Sequence, residues 1–153
     1  MGSIHGASYY TIVDGPTWEE AEANAVNLGG HLVTINDAEE HDVVSSIAVK
    51  YFKGLKSYYD GTQKYYLRNG SEQSSDIWIG LNDANQEGVW QWSSGEAVDY
   101  LREVELYDNN GLQDYGVIRE VTGWEWDDQE NEYNPNHRYS QKVGIAEIPI
   151  SSS

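Results

Sequence analysis

Hydrophobic and polar positions change period several times along this chain. Ala7-Ser8-Tyr9-Tyr10-Thr11-Ile12-Val13 is rich in aromatic and β-branched residues and halts at Asp14-Gly15-Pro16, the pattern of a strand closing in a turn. The period then becomes helical. Thr17 and Glu20 have capping-box spacing, Trp18, Ala21, Ala25 and Leu28 fall near one face, and Gly29-Gly30 supplies the stop. His31-Leu32-Val33-Thr34-Ile35 reads as a short strand. Asn36-Asp37 then caps a second helix whose Val43, Val44, Ile47 and Tyr51 are expected to face inward, with His41 on its surface and an end near Gly54.

From residue 53 to 75 the chain is Tyr, Gly, Ser, Asn and Gln without a clear period, which predicts a long loop, with room for a hairpin through Lys64-Tyr65-Tyr66-Leu67. Strands are predicted at residues 77–81, 89–92, 115–119 and 143–148, separated by loops rich in Gly, Asn and Asp. Strands before and after a pair of helices indicate an α+β fold. No internal repeat or heptad interrupts this order.

Composition narrows the functions. The 153 residues suit a single domain with a sizeable core. Asp and Glu number 26 against 9 Lys and Arg, a formal charge of -17, which disfavours nucleic acid and anionic membranes and favours cations. There is no cysteine, hence no disulfide, thiolate metal site or thiol nucleophile. No apolar run approaches the roughly 18 residues of a membrane span, so membrane insertion is not expected. Met1-Gly2-Ser3 reads as a cloning remnant, residues 1–6 as a lead-in and 150–153 as a tail or linker, so the expected domain is 7–149 of a larger protein.

At this point the motifs resemble those of a C-type lectin-like domain, over about residues 7–149. Trp18-Glu19-Glu20-Ala21 through Gly29-Gly30-His31-Leu32-Val33-Thr34-Ile35 is similar to the family's first helix and second strand. Trp78-Ile79-Gly80-Leu81 resembles its most characteristic core motif, and Gly95-Glu96 and Gly144-Ile145-Ala146-Glu147 follow in order. The resemblance implies a double-loop fold with two helices flanking small antiparallel sheets, termini paired together, and a long loop able to bind calcium and sugar. The disulfide-free chain resembles bacterial members of the family better than animal ones.

Calcium takes about six to eight hard oxygens, which acidic turns can supply. Asp83 and Glu87 sit four residues apart on a polar turn, and Asp108 and Asp114 flank Asn109-Asn110-Gly111. By resemblance these four occupy the family's auxiliary calcium site; the alternative is that Asp83 and Asp108 only cap turns. A second set corresponds to the family's sugar-coordinating cage, with departures. Glu105-Leu106-Tyr107 stands where the family has an acid, a proline and an amide or acid, Gln113 stands where an acid is usual, and Trp126-Asp127-Asp128 replaces Trp-Asn-Asp. Glu105, Gln113, Asp127 and Asp128 still offer oxygens for an ion, whereas Tyr107 lacks the amide that would bond both ion and sugar.

The chain holds 6 Trp and 12 Tyr. Trp78, Trp90, Trp92 and Trp126 are expected in the core, and Tyr100, Tyr107, Trp124 and Tyr133 at the surface, where rings stack on sugars or anchor protein partners. Three function classes follow. The first is a calcium-dependent carbohydrate-binding module of a secreted or cell-surface adhesin, using Glu105, Tyr107, Gln113, Asp127, Asp128 and Trp124. The second is a protein-binding lectin-like domain in which Ca2+ is structural or absent. The third, a glycosidase built on a pair such as Glu105 and Asp128, is disfavoured, because the acids are better explained as ion ligands and no nucleophile with a neighbouring base appears. The chain is therefore expected not to be an enzyme.

Overall fold

The structure, a computed structural model, describes residues 3–59, 61, 64–68, 71–86, 89–100, 115–119, 124–129 and 141–150. Near the N-terminus, β1 (Ser3–His5) and β2 (Ser8–Asp14) form an antiparallel hairpin. α1 (Trp18–Asn27) starts where the sequence predicts, with Thr17 extended and its Oγ1 accepting the Glu20 amide at 3.2 Å. It stops as Gly29 adopts φ 99° and the Gly29 and Gly30 amides return to the Val26 and Ala25 carbonyls. β3 (His31–Leu32) is shorter than predicted; past it the Val33 amide donates to Ile145 and the Val33 carbonyl accepts from Gly80.

α2 (Ala38–Lys53) is capped by Asp37, whose carboxylate accepts the Glu40 amide at 2.8 Å. Its buried stripe is His41, Val44, Ala48 and Phe52, with Val43, Ile47 and Tyr51 half-buried along one edge. The predicted inward face is thus rotated. His41, expected on the surface, is only 5% exposed because Trp126 Nε1 donates to its Nδ1 at 3.1 Å. An indole can only donate, so Nδ1 is an acceptor, and in the neutral ring the proton resides on Nε2, 3.3 Å from Ser45 Oγ.

The stretch predicted as a long loop is largely strand. β4 (Lys56–Tyr59), β5 (Lys64–Arg68) and β6 (Ser71–Asn82) form an antiparallel meander, so the predicted hairpin strand at 64–67 has partners on both sides. The pattern failed there because every residue of β4 is exposed, leaving no apolar alternation to read. β7 (Gln91–Trp92), β8 (Tyr115–Arg119), β9 (Glu125–Gln129) and β10 (Gln141–Pro149) complete the described strands. β9 carries no separate strand signal in the sequence.

The sheet runs in the order β1-β2-β10-β6-β5-β4, with β3 added to β10, β7 and β8 to β6, and β9 to β8. β10 lies antiparallel along β2, from Pro149 opposite Ser8 to Val143 opposite Asp14, so the two ends of the described chain are paired. The β10–β6 pairing is parallel and the other pairings are antiparallel. The architecture is α+β, with two helices and small sheets, as the sequence indicated.

Alternate residues of β6 feed two clusters. Ile77, Ile79 and Leu81 join α2 through Val44, Ala48 and Phe52, together with Ile118, Trp126 and Ile145. Trp78 joins α1 through Trp18, Ala21 and Ala25, with Leu32, Val117 and Ala146. Trp78, Trp92 and Trp126 are buried as predicted, whereas Trp90 is half-buried against the first cluster.

Two predictions follow from this packing. A Cβ at Gly30 would lie 2.1 Å from the Glu147 carbonyl oxygen, a backbone atom of β10 that has no flexible way out. Gly30→Ala is therefore expected to cost about 2–3 kcal/mol of stability by urea denaturation, and an unchanged midpoint would contradict this approach of α1 to β10. Burial pushes Tyr51 up to about 12 and raises Tyr10 well above its ordinary value near 10. Folded, both rings hold their protons where the unfolded chain would release them, so this stabilisation is complete below about pH 10 and is lost as pH rises through 12. Tyr51→Phe should make that alkaline fall in Tm shallower.

Candidate functional site

Three strands converge at one end of the sheet. β6 ends at Asn82, which is the register partner of Tyr115 at the start of β8, and Tyr115 in turn faces Gln129 at the end of β9. This brings the backbone of Asp83 and Asp128, two positions expected to serve calcium, to the same end. Asp83 is 2% exposed, immediately past the strand. The turn after it is held by Asn82, whose Oδ1 accepts the Ala84 amide at 3.3 Å and whose Nδ2 donates to the Gly80 carbonyl at 3.3 Å. Asn85 Nδ2 also donates to Gln91 Oε1 at 3.1 Å, tying the turn to β7. Glu87, Glu105, Tyr107, Asp108, Gln113 and Asp114 lie outside the described residues, as does Tyr133 and the side chain of Asp128.

Asp127 is placed differently. Its Oδ2 accepts Arg119 Nη1 at 2.8 Å, while Arg119 Nε donates to Asp76 Oδ1 at 2.9 Å, so one guanidinium bridges β6, β8 and β9. Burial pushes the Asp76 carboxyl above the usual range; Arg119 and, more weakly, Lys142 pull the other way. Burial also opposes the Arg119 charge, but Asp76 and Asp127 outweigh it and raise its pKa further. A calcium ion at that Asp127 oxygen would meet the positive guanidinium, which already fills its coordination direction. Asp83 is a buried carboxylate at the strand end, whereas Asp127 is held by Arg119. Among the described residues no three Asp, Glu or His side chains converge as a metal group.

The aromatic candidates separate as well. Trp124 precedes β9 at the opposite end of the β8–β9 hairpin, where Glu125 faces Arg119. Four residue steps of extended chain, about 13 Å, separate it from Asp128. Its φ is 68°, a left-handed conformation unusual for a bulky side chain, and its amide donates to the Arg119 carbonyl at 2.7 Å. The half-buried ring stacks on Phe52 of α2 with centroids 5.8 Å apart. Tyr100, also expected at the surface, is half-buried edge-on to Trp126. Sequence reasoning missed Asp76, Arg119 and His41. Only the third had a signal, the 41-44-48-52 spacing that carries the helical stripe; the first two meet through strand register.

The lectin C-type domain family model matches residues 14–143, a span that holds both described helices and strands β3 to β9. The chain belongs to the C-type lectin domain family. It is 32% identical over 111 residues to the C-type mannose receptor 2 of Mus musculus, covering 72% of this chain but 6% of that protein. It is 29% identical over 153 residues to lectin BRA-3 of Megabalanus rosa, covering 97% of this chain and 75% of that one. The fold is shared with the C-type lectin CEL-I from Cucumaria echinata at a TM-score of 0.67 and 22% identity, over 98% of this chain and 96% of that chain. A C-type lectin domain is a binding module, so the Glu105 and Asp128 pair needs no catalytic role.

The electrostatics around Arg119 give a direct test. Asp127→Asn is expected to lower stability by about 1–2 kcal/mol, the loss of a charge-assisted hydrogen bond, while calcium affinity by calorimetry stays within about twofold. A tenfold loss of affinity would instead place the ion at Asp127.

Proposed function

We propose that this C-type lectin domain is a carbohydrate-binding module that works at the cell surface or outside the cell, as one unit of an adhesin. Its ligand face lies at the sheet end where Asp83, Tyr115 and Asp128 meet. The observation that carries this reading is the convergence of β6, β8 and β9 at a buried carboxylate, Asp83, on a turn fixed by Asn82 and Asn85. Relatives named as a lectin and as a mannose receptor support a glycan over other ligands. No helix among the described residues is long and apolar enough to cross a membrane.

Calcium is assigned to Asp83 with Glu87, Asp108 and Asp114, where it would neutralise gathered carboxylates and order the chain around them. Glu105, Tyr107, Gln113 and Asp128 are assigned to ligand contact, with room for vicinal hydroxyls on the ion. Asp127 is left to Arg119, and Trp124 to the opposite end of the sheet.

Protein recognition is the second reading. Leu106 and Tyr107 in place of the family's proline and amide favour it, as does Arg119 holding the oxygen of Asp127. In that case calcium would be structural or absent.

Calcium titrated into chelator-stripped protein is expected to bind saturably and raise Tm, and Asp83→Asn to weaken it by about tenfold, since affinity follows the charge of the ligand set. Glycan binding on an array should vanish on chelation. A blank array with calcium bound would favour a protein ligand; no calcium uptake at millimolar concentration would remove the ion from the function altogether.

A further inference from the structure

The outward face of α2 carries its charges in two blocks. Glu39, Asp42, Ser46, Lys50 and Lys53 are all exposed, and at about 3.6 residues per turn they fall within about 40° of one line, opposite the buried stripe of the helix. The acids occupy the N-terminal half of this line and the lysines the C-terminal half. Its nearest acid and lysine, Asp42 and Lys50, are two turns apart, about 12 Å, too far to pair along the helix. The spacing is palindromic about Ser46, with Asp42 and Lys50 four residues to either side, Glu39 and Lys53 seven, and the half-buried Val43 and Val49 three.

The line is also a ridge between two depressions. Asp42, Ser46 and Lys50 border both; Ser45, Val49 and Lys53 line the one on one flank, about 510 Å³, and Glu39, Val43, Ile47 and Ile4 of β1 the one on the other, about 420 Å³. Ile4 is 70% exposed. Ser46 Oγ donates back to the Asp42 carbonyl at 2.9 Å, so the midpoint of the ridge is a small side chain whose hydroxyl already has a partner. The macrodipole favours acids at a helix start and cations at its end, which explains the order of charge along α2. It does not explain why charges and valines lie symmetrically about one small residue on the face turned away from the core.

We propose that this face of α2 binds a second copy of the chain, the two helices packing antiparallel across a two-fold axis at Ser46. That operation sets Asp42 at the level of Lys50 of the second copy, Glu39 at the level of its Lys53 and Val43 at the level of its Val49, and each pair occurs twice. The ridge of each helix seats in the depressions of the other, with serine at the closest approach and the two dipoles opposed. Ile4, on the wall of one depression, adds apolar area for the second copy to cover. A foreign partner would need the reverse of this charge pattern; the chain's own helix, turned end to end, supplies it. At a formal charge of -17 two copies repel at long range, and on this line acids and lysines are equal in number, so approach there is answered by direct pairs.

None of the residues assigned to calcium or ligand belongs to α2, so dimerisation can be measured in chelator, apart from them. Sedimentation of the parent chain up to about 500 µM should show a monomer–dimer equilibrium with a dissociation constant of about 10–100 µM, as for a small interface. Asp42→Lys alone and Lys50→Glu alone should each weaken the dimer at least about tenfold, because each sets like charges together twice. An equimolar mixture of these two variants should dimerise like the parent: the reversed charge of one copy meets the reversed charge of the other, and the second pair is unaltered. Asp42→Lys/Lys50→Glu in one chain should dimerise again as well. Both side chains are exposed, so melting curves in dilute solution should match the parent. A parent that stays monomeric at about 500 µM would overturn the proposal and leave the face to a foreign helix. Dimers that survive both single reversals would overturn it in favour of another face of the domain, and variants that fail to pair when mixed would overturn the antiparallel register.

Discussion

Two indole N–H groups hold this domain together at its centre. Trp78 Nε1, on β6, donates to the Gly15 carbonyl ahead of α1 at 2.9 Å, and Trp18 Nε1, at the start of α1, donates to the Ile79 carbonyl of β6 at 2.8 Å. Both bonds are buried, where an unmet donor would cost about 1–3 kcal/mol, so helix and strand each satisfy the other. β6 is the shared partner of β5, β7, β8 and β10. Whatever fixes β6 against α1 therefore also fixes the two ends of the sheet.

Those ends carry different side chains. Where β6 ends, the backbone gathers Asp83 and Asp128 beside the start of β8; where the β8–β9 hairpin turns, Trp124 meets Phe52 next to the lysines of α2.

At the Trp124 end sits Arg119. Bringing a guanidinium and two carboxylates into a partly buried sheet face is costly unless their geometry is good, and the 2.8 and 2.9 Å hydrogen bonds provide it. The arrangement also decides which acid is available. Asp127, in the chain one of a run of acids, is tied in the fold to an internal cation.

The local parts of this fold were legible in the sequence. Capping at Thr17 and Asp37, the Gly29 stop, β8 over Tyr115–Arg119 and the burial of Trp78, Trp92 and Trp126 each depend on residues within a few positions or on apolar bulk alone. The family motifs were legible for the same reason. In the β4–β6 meander the strand at 64–67 and the end of β6 were legible, but β4 was not, because a strand exposed on both faces leaves no period. Nor were the indole 85 residues away that donates to His41, the Asp76–Arg119–Asp127 bridge, or the distance of Trp124 from Asp128. These follow from strand register, where a shift of one residue reverses every side chain. The chain thus determined its elements and its family by short-range chemistry, while tertiary structure alone decided which charges meet, because ion pairs and sheet ends join residues that no local spacing relates.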